Sequence, residues 1–335
     1  MRIFNNYLSV VFCAILTLGI AGAQEKVSKE DRIDSKKRQA ALKLQLFLDS
    51  EGYRPGRLDA WWGEFTEKAV TCYNEANPDK AIPVGENGEV DTKGMEQVSW
   101  NSPLTTDYQI QQADADNVGS LPEEPEAMSK LESLPYESLM EAVAERFHSF
   151  PELIAELNGL EPGSELQVGQ ILEVPNVAEP FVLSSVKKDE DETGGDSSSD
   201  SSISVTVDRQ TRMLQVNESG RTIACYPITP GASDNPAPPG DWKVESKAWL
   251  PTFRYDKSML EDGTRSDEAH FLPSGPNSPV GIIWLGLNSD GIGLHGTSDP
   301  ETIGRSVSHG CIRLANWDAK ALGEKIGIGT SVTIE

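Results

Sequence analysis

Two of the four histidines in this 335-residue chain, His295 and His309, fall in one short segment, LHGTSDPETIGRSVSHGCIRLAN (Leu294–Asn316), together with Cys311. Three readings compete: a metal site, a thiol nucleophile with its base, or a structural coincidence. His295, His309 and Cys311 could supply three zinc ligands. However, only one residue separates His309 from Cys311, tighter than the usual gap of two between paired ligands. No HExxH and no second cysteine pair accompanies them. The spacing therefore argues against metal. A thiol nucleophile needs a group that takes its proton, and an imidazole does this. His309 sits at i−2 from Cys311 in a glycine turn, where the two side chains tend to diverge. His295 ends the strand-like GIGLHG and can reach in from a neighbouring strand, so it is the better base. Gly310 permits a sharp turn in which the backbone N–H groups of Gly310 and Cys311 converge as an oxyanion hole. Arg313, two residues beyond Cys311 in an extended chain, is placed to clamp a substrate carboxylate, with a structural ion pair as the alternative. Ser308 either caps the turn or touches substrate, and His309 orients the loop through a hydrogen bond.

The elements that must position these residues come last in the chain. ISVTVDRQTRMLQVNESGRTIACYPITPG reads as strand, turn, strand, turn, strand. GDWKVESKAW, GIIWLGL and SVTIE add further strands, and only NWDAKALGEKI has a helical pattern. Short strands with Gly/Pro turns predict an all-β sandwich or barrel over residues 203–335. The long insertion Trp249–Val280 reads as a mobile lid over the site, with His270 an ordinary surface histidine.

Upstream, the chain divides into modules. From Ser35 to Ala76 the pattern is helix, tight loop, helix, with Leu42, Leu46 and Phe47 on one face, a stop at Gly52 and Thr66 as a cap. Trp61 and Trp62 are expected in its core. Residues 79–126 are rich in Asn, Asp, Pro, Gly and Gln with little periodicity, and read as a connector. In 127–176, ESLMEAVAERF and SFPELIAELNGL are helical and LQVGQILEVP alternates as a strand does. The stretch Lys187–Ser202, KKDEDETGGDSSSDSS, has no apolar residue and is expected to be a flexible tether.

The formal net charge is −24, and it is uneven: residues 203–335 hold 12 basic and 16 acidic side chains, residues 1–202 hold 17 and 37. Such acidity disfavours nucleic acid and anionic membrane as partners. Residues 1–23 read as a signal peptide: Arg2, an apolar run, then Ala21-Gly22-Ala23 as a cleavage site. The mature chain is then exported, with no membrane span, to the periplasm or cell wall. Cleavage removes Cys13 and leaves Cys72, Cys225 and Cys311, an odd count in an oxidising compartment. Cys72 and Cys225 could pair, but they lie in separate modules and are expected to be small buried residues.

The motif set resembles known families. IGLHGT…SVSHGCIRL looks like the signature of L,D-transpeptidase (YkuD-type) catalytic domains. The β meander, PAPPGDWKV and PNSPVGIIWLGL extend that likeness over nearly all of 203–335, although Pro238 stands where the family commonly has Thr. The resemblance implies a β-sandwich or barrel-like fold and a cysteine acyl transferase with no metal or other cofactor. It implies Cys311 as nucleophile, His295 as base, the Gly296 carbonyl as its orienter, and His309, Gly310 and Arg313 as loop and substrate residues. LQLFL, GYRPGRLD and WWGEFTEKAVTCYNEAN in 35–78 resemble the small helical peptidoglycan-binding domain, with Ala60 in place of the usual Gly. Residues 127–176 resemble a LysM domain, an α+β unit that binds N-acetylglucosamine-containing glycans, with YESL where GDTL is usual. All three modules then point to peptidoglycan, its stem peptides and glycan strands. The acceptor of the transfer would be a stem amine, water, or a lysine of an outer-membrane protein. A wall-binding scaffold with an inactive catalytic domain and a secreted thiol peptidase are the readings from other classes.

Overall fold

The computed structural model describes residues 32–86, 89–186, 192–193, 202–231, 237–258, 264–289, 291–305 and 310–335. The signal peptide, Ser308, His309 and most of the 187–202 tether lie outside the described residues.

The first module is built on α1 (Lys36–Ser50), α2 (Glu64–Ala76) and α3 (Thr92–Glu96). The hydroxyl of Ser35 caps α1 by accepting from the Arg38 N–H. Helix α2 begins at Glu64, so Thr66 is not its cap; that side chain is buried and accepts from Gln45 on α1. The single apolar face expected of α1 is also corrected. Leu42 and Leu46 join one core, while Leu44, Phe47 and Leu48 join another on the opposite side. The helix is buried nearly all round because modules press on it from both sides. Trp61 and Trp62 are half-buried rather than core, and Arg38 lies 4.2 Å from the Trp61 ring centre.

The second module contains β1 (Thr105–Gln109), the short helices α4 (Gln112–Ala115) and α5 (Pro125–Met128), α6 (Leu139–Arg146), α7 (Pro151–Leu157) and β2 (Ile171–Pro175). Strand β1 pairs antiparallel with β2, from Thr105 opposite Pro175 to Gln109 opposite Ile171. It lies inside the stretch 79–126 read as a connector. TTDYQ carries one half-buried aromatic among exposed polar residues, so it has no apolar alternation to show. The earlier part of that stretch is folded as well: Ile82, Val90, Met95 and Val98 are buried in the core of the first module. Pro151 opens α7, and Ser138 caps α6 by accepting from Glu141.

The C-terminal module is a curled sheet. Its strands are β4 (Ile203–Asp208), β5 (Met213–Glu218), β6 (Arg221–Pro227), β7 (Gly240–Trp249), β10 (Ile283–Leu287), β11 (Gly293–His295), β12 (Ile312–Arg313) and β13 (Ser331–Ile334), in the order β12-β11-β10-β7-β13-β4-β5-β6. A two-residue β3 (Glu192–Thr193) pairs with β7, so part of the expected tether lies on this sheet. Thr229, just past β6, exchanges both backbone hydrogen bonds with Arg313 at the other end of the order, 3.0 Å each. The sheet thereby curls back on itself, a barrel-like closure rather than a sandwich. Helix α8 (Asn316–Lys325) buries Trp317, Ala319 and Leu322 against it.

The insertion Trp249–Val280 is not an open loop among the described residues. Strands β8 (Phe253–Tyr255) and β9 (His270–Leu272) form a hairpin. Its return leg is held by the second module: Leu134 donates to the Ser274 carbonyl, Asn277 N–H donates to that of Leu134, and Asn277 Nδ2 donates to that of Pro135.

The three modules are joined, and the expectation that Cys72 and Cys225 are separate small buried residues is corrected. Cys72 of α2 and Cys225 of β6 form a disulfide. Around it the loop after α1 extends the sheet: Cys225 N–H donates to the Gly52 carbonyl and Arg54 N–H to that of Cys225. Gly52 takes φ +85°, open to glycine. A buried polar knot lies beneath. Arg54 pairs with Asp49 and lies 3.6 Å from Asp318 of α8. His148 of the second module sits 3.0 Å from Asp49 and stacks on Trp317 at 5.3 Å. Burial pushes the Asp318 carboxyl up to about 8, against the pull of Arg54. At Asp49 burial acts the same way, but Arg54 and His148 outweigh it and hold the carboxyl well below its ordinary range.

Candidate active site

Strands β11 and β12 run parallel, with Leu294 beside Ile312 and His295 beside Arg313. Leu294 and Ile312 are fully buried in the core. Side chains alternate along a strand, so His295 and Arg313 project to the opposite face. Cys311, two residues before Arg313, shares their side. The close spacing of Cys311 and Arg313 in sequence thus puts the residue just before β12 and the last residue of β12 on one side, with His295 beside Arg313 on the neighbouring strand.

The imidazole is fixed from several directions. Its Nδ1 lies 2.6 Å from the Gly296 carbonyl oxygen. A carbonyl only accepts, so Nδ1 carries the proton and Nε2 is left bare to take another. The His295 carbonyl accepts from Leu314 N–H at 2.8 Å, which pins the backbone. On its flat side the ring stacks on Trp284 of β10, with centres 5.5 Å apart and planes 23° from parallel. The indole has room because Gly286 and Gly293 face each other across β10 and β11. A Cβ on Gly293 would stand 2.7 Å from the Trp284 ring, and one on Gly286 2.9 Å from its nitrogen. Trp284 was not among the residues singled out from sequence. The signal was present in two glycines spaced around a tryptophan, in strands that otherwise prefer branched residues.

The electrostatics describe a resting neutral pair. Burial pulls His295 down to about 4; the Gly296 carbonyl opposes this and the Arg313 charge reinforces it. Burial raises the Cys311 thiol, with a backbone contact at Gly293 and the Arg313 charge both lowering it. The half-buried Cys311 donates to the Gly291 carbonyl at 3.2 Å. Burial also lowers Arg313; a Cys311 thiolate, once formed, and Asp299 act the other way. Gly310 takes φ +91°, a conformation that side chains strain to adopt, immediately before the thiol. Among the described residues, no three His, Cys, Asp or Glu side chains gather as a metal-ligand set. His270, on β9, lies away from this group in the hairpin.

The approach to the nucleophile loop is shaped by the first module. Arg57 pairs with Glu301 at 2.9 Å, Arg212 bonds the Gly304 carbonyl and reaches Glu64 of α2 at 2.5 Å, and Phe65 packs against Gly304. A cleft of about 110 Å³ opens there, between Trp61, Asp59, Phe150, Pro227 and Arg305.

Comparison with known proteins gives matches to the C-terminal module. Residues 202–334 match the family model of the YkuD L,D-transpeptidase catalytic domain. The putative L,D-transpeptidase YqjB of Bacillus subtilis is 32% identical over 135 residues, covering 39% of this chain and 69% of that protein. The putative L,D-transpeptidase YkuD of Bacillus licheniformis is 24% identical over 195 residues, 58% of this chain and 92% of that protein. Among solved structures, the catalytic domain of the Enterococcus faecium L,D-transpeptidase aligns at 21% identity with TM-score 0.30, covering 40% of this chain and 98% of that one.

Proposed function

The chain belongs to the family of the YkuD L,D-transpeptidase catalytic domain, and from that premise we propose that it is a cysteine-dependent acyl transferase acting on peptidoglycan. The observation that carries the reading is the pairing of β11 with β12. It sets His295, its Nδ1 committed to Gly296, beside Arg313, two residues past Cys311, which supports this reading.

In this reading Cys311 is the nucleophile and attacks the carbonyl of the L-centre of a diamino acid in a tetrapeptide stem. Because thiol and imidazole rest neutral, the proton moves to His295 Nε2 as the C–S bond forms. The N–H groups of Gly310 and Cys311 face the developing oxyanion. His295 then returns the proton to the leaving D-alanine, and a thioester remains on Cys311. A side-chain amine of a second stem attacks that thioester, giving a 3→3 crosslink and restoring the thiol. Arg313 holds a substrate carboxylate, and Ser308 and His309 belong to the loop that receives it. The acceptor defines the alternatives. Water makes the enzyme an L,D-carboxypeptidase, and a lysine of an outer-membrane protein makes it an anchoring enzyme. The first two modules are read as peptidoglycan-binding, with the chain exported to the wall compartment; among the described residues no helix is long and apolar enough to cross a membrane.

The test is mass spectrometry of muropeptides incubated with the full-length protein. New 3→3 dimers together with released D-alanine, both abolished by Cys311→Ala, are expected. Full activity in that variant overturns the mechanism. A protein that sediments with walls but is never acylated by a carbapenem favours the scaffold reading.

A further inference from the structure

We propose that Glu145, on α6 of the second module, is a positioning residue for His295, acting through Asn316 and the Gly296 carbonyl. The proposal deepens the reading of His295 as the base and rests on it.

The contacts form an unbroken path across the module boundary. Glu145 is buried, and Asn316, the first residue of α8, is fully so. The Glu145 carboxylate accepts from the Tyr136 hydroxyl with one oxygen and from Asn316 Nδ2, at 2.9 Å, with the other. The second proton of that amide goes to the Pro276 carbonyl at 3.1 Å, and its oxygen accepts from Ile282 N–H at 3.2 Å. Every polar atom of the Asn316 side chain is therefore used, and its orientation is fixed. The amide oxygen then lies directly on the backbones of Gly281 and Gly296. A Cβ there would stand 2.1 and 2.2 Å from it. Gly281 takes φ +58°, the conformation that lets the chain turn beneath the amide. The carbonyl of Gly296 in turn decides which imidazole nitrogen of His295 carries hydrogen.

Side-chain packing alone does not demand a carboxylate at 145. The C-terminal module could satisfy the Asn316 proton that faces Glu145 with one of its own carbonyls, as the Pro276 carbonyl satisfies the other. It relies instead on a group from another module, flanked by the clamp of Leu134 and Pro135 on the Ser274–Asn277 leg. If the amide rotated, its Nδ2 would face Ile282 N–H, donor to donor, and the support behind the 296 peptide would shift. A base displaced by a fraction of an ångström loses much of its rate. Burial pushes the Glu145 carboxyl up to about 7, while its hydrogen bonds from Tyr136 and Asn316 hold the ionised form.

The experiment uses full-length protein and two readouts that need neither wall substrate nor acyl transfer. One is the tautomer of His295 from ring ¹⁵N shifts; the other is the rate of Cys311 alkylation by iodoacetamide at neutral pH. Glu145→Met combined with Tyr136→Phe removes acceptor and donor together, so that no buried group is orphaned between them. In this variant the Nε2–H tautomer is expected to appear and alkylation to slow about tenfold. Glu145→Gln keeps an acceptor for Asn316 and is expected to match wild type in both. Unchanged tautomer and rate in the double variant overturn the proposal, as does an equal loss in Glu145→Gln. Should the double variant not fold, Asn316→Asp, which puts an acceptor against Glu145, is expected to give the same tautomer change, and its failure to do so is equally fatal. Absence of transpeptidation by the wild-type protein refutes the proposed reaction without touching these readouts.

Discussion

The indole of Trp284 lies face to face with the imidazole of His295 across β10 and β11, in the space that Gly286 and Gly293 leave open. Each member of this arrangement constrains another. The glycines admit the indole, the indole covers the imidazole, and the covered imidazole stays neutral. Replacing Trp284 by Ala uncovers the ring and relieves its desolvation. The His295 pKa is then expected to rise from about 4 toward the ordinary 6.5, as an NMR titration would record. Gly293→Ala drives a methyl into the indole and is expected to cost about 1–3 kcal/mol in chemical denaturation.

The thiol gives a second prediction. Burial raises Cys311 above its ordinary 9.0 and Arg313 lowers it. At neutral pH the thiol is protonated, so alkylation by iodoacetamide should climb with pH well into the alkaline range, with no plateau between about pH 5 and 7. Arg313→Met removes the stabilising charge. The whole profile is expected to move further alkaline, and a move in the acid direction would show that Arg313 does not act on the thiol.

Stability should depend on pH through two buried acids. Glu145 is raised to about 7 and Asp318 to about 8. An acid whose folded pKa is raised binds its proton more tightly when folded, so its contribution is complete below the unfolded value and is lost as pH rises through the folded one. The unfolding free energy is therefore expected to fall between about pH 5 and 8, by an amount of order 3 kcal/mol for Glu145 alone, and the melting temperature to fall with it. Glu145→Gln should flatten the lower part of that decline. Asp49 is held below its ordinary range and has the opposite sign, contributing above its unfolded value and lost only in strong acid.

The disulfide gives a fourth. Cys72→Ser with Cys225→Ala removes a link spanning 153 residues, and a loss of about 2–4 kcal/mol is expected by denaturant titration. The neighbouring backbone pairing of Gly52 and Arg54 with Cys225 does not depend on the sulfurs. Cys311 alkylation in the variant should match wild type. A slowed alkylation in a folded variant would mean that the bridge itself shapes the site.

Much of the C-terminal module was legible. Its strands announce themselves by alternation and Gly/Pro punctuation, and the sparse His and Cys single out one segment. Reach between strands favours His295 over His309 as the base, and the parallel register of β11 and β12 sets His295 beside Arg313. What stayed hidden is long-range. Strand β1 is nearly all polar, because its exposed face outnumbers its buried residues, and it reads as loop. The pairing of Cys72 with Cys225 follows from docking of α2 on β6, and no local pattern in either segment records that docking. Trp284 and Glu145 were invisible for the same reason. An aromatic in a strand and a glutamate in an amphipathic helix are ordinary until the neighbour that each one touches is known.

The position of β13 has a bearing on how the protein is made. Ser331–Ile334 follow every other strand in sequence, yet they lie in the middle of the sheet, between β7 and β4. Until they pair, β4–β6 and β7–β12 are two fragments with facing raw edges. The Thr229–Arg313 closure has no frame to hold it. A chain released short of Ser331 would already carry Cys311, but on an unclosed surface with two unpaired strand edges, the kind that aggregates. Such a product is expected to precipitate or be degraded. The centrally inserted strand thus works as a completeness check, tying assembly of the reactive thiol's surroundings to delivery of the final residues of the sheet.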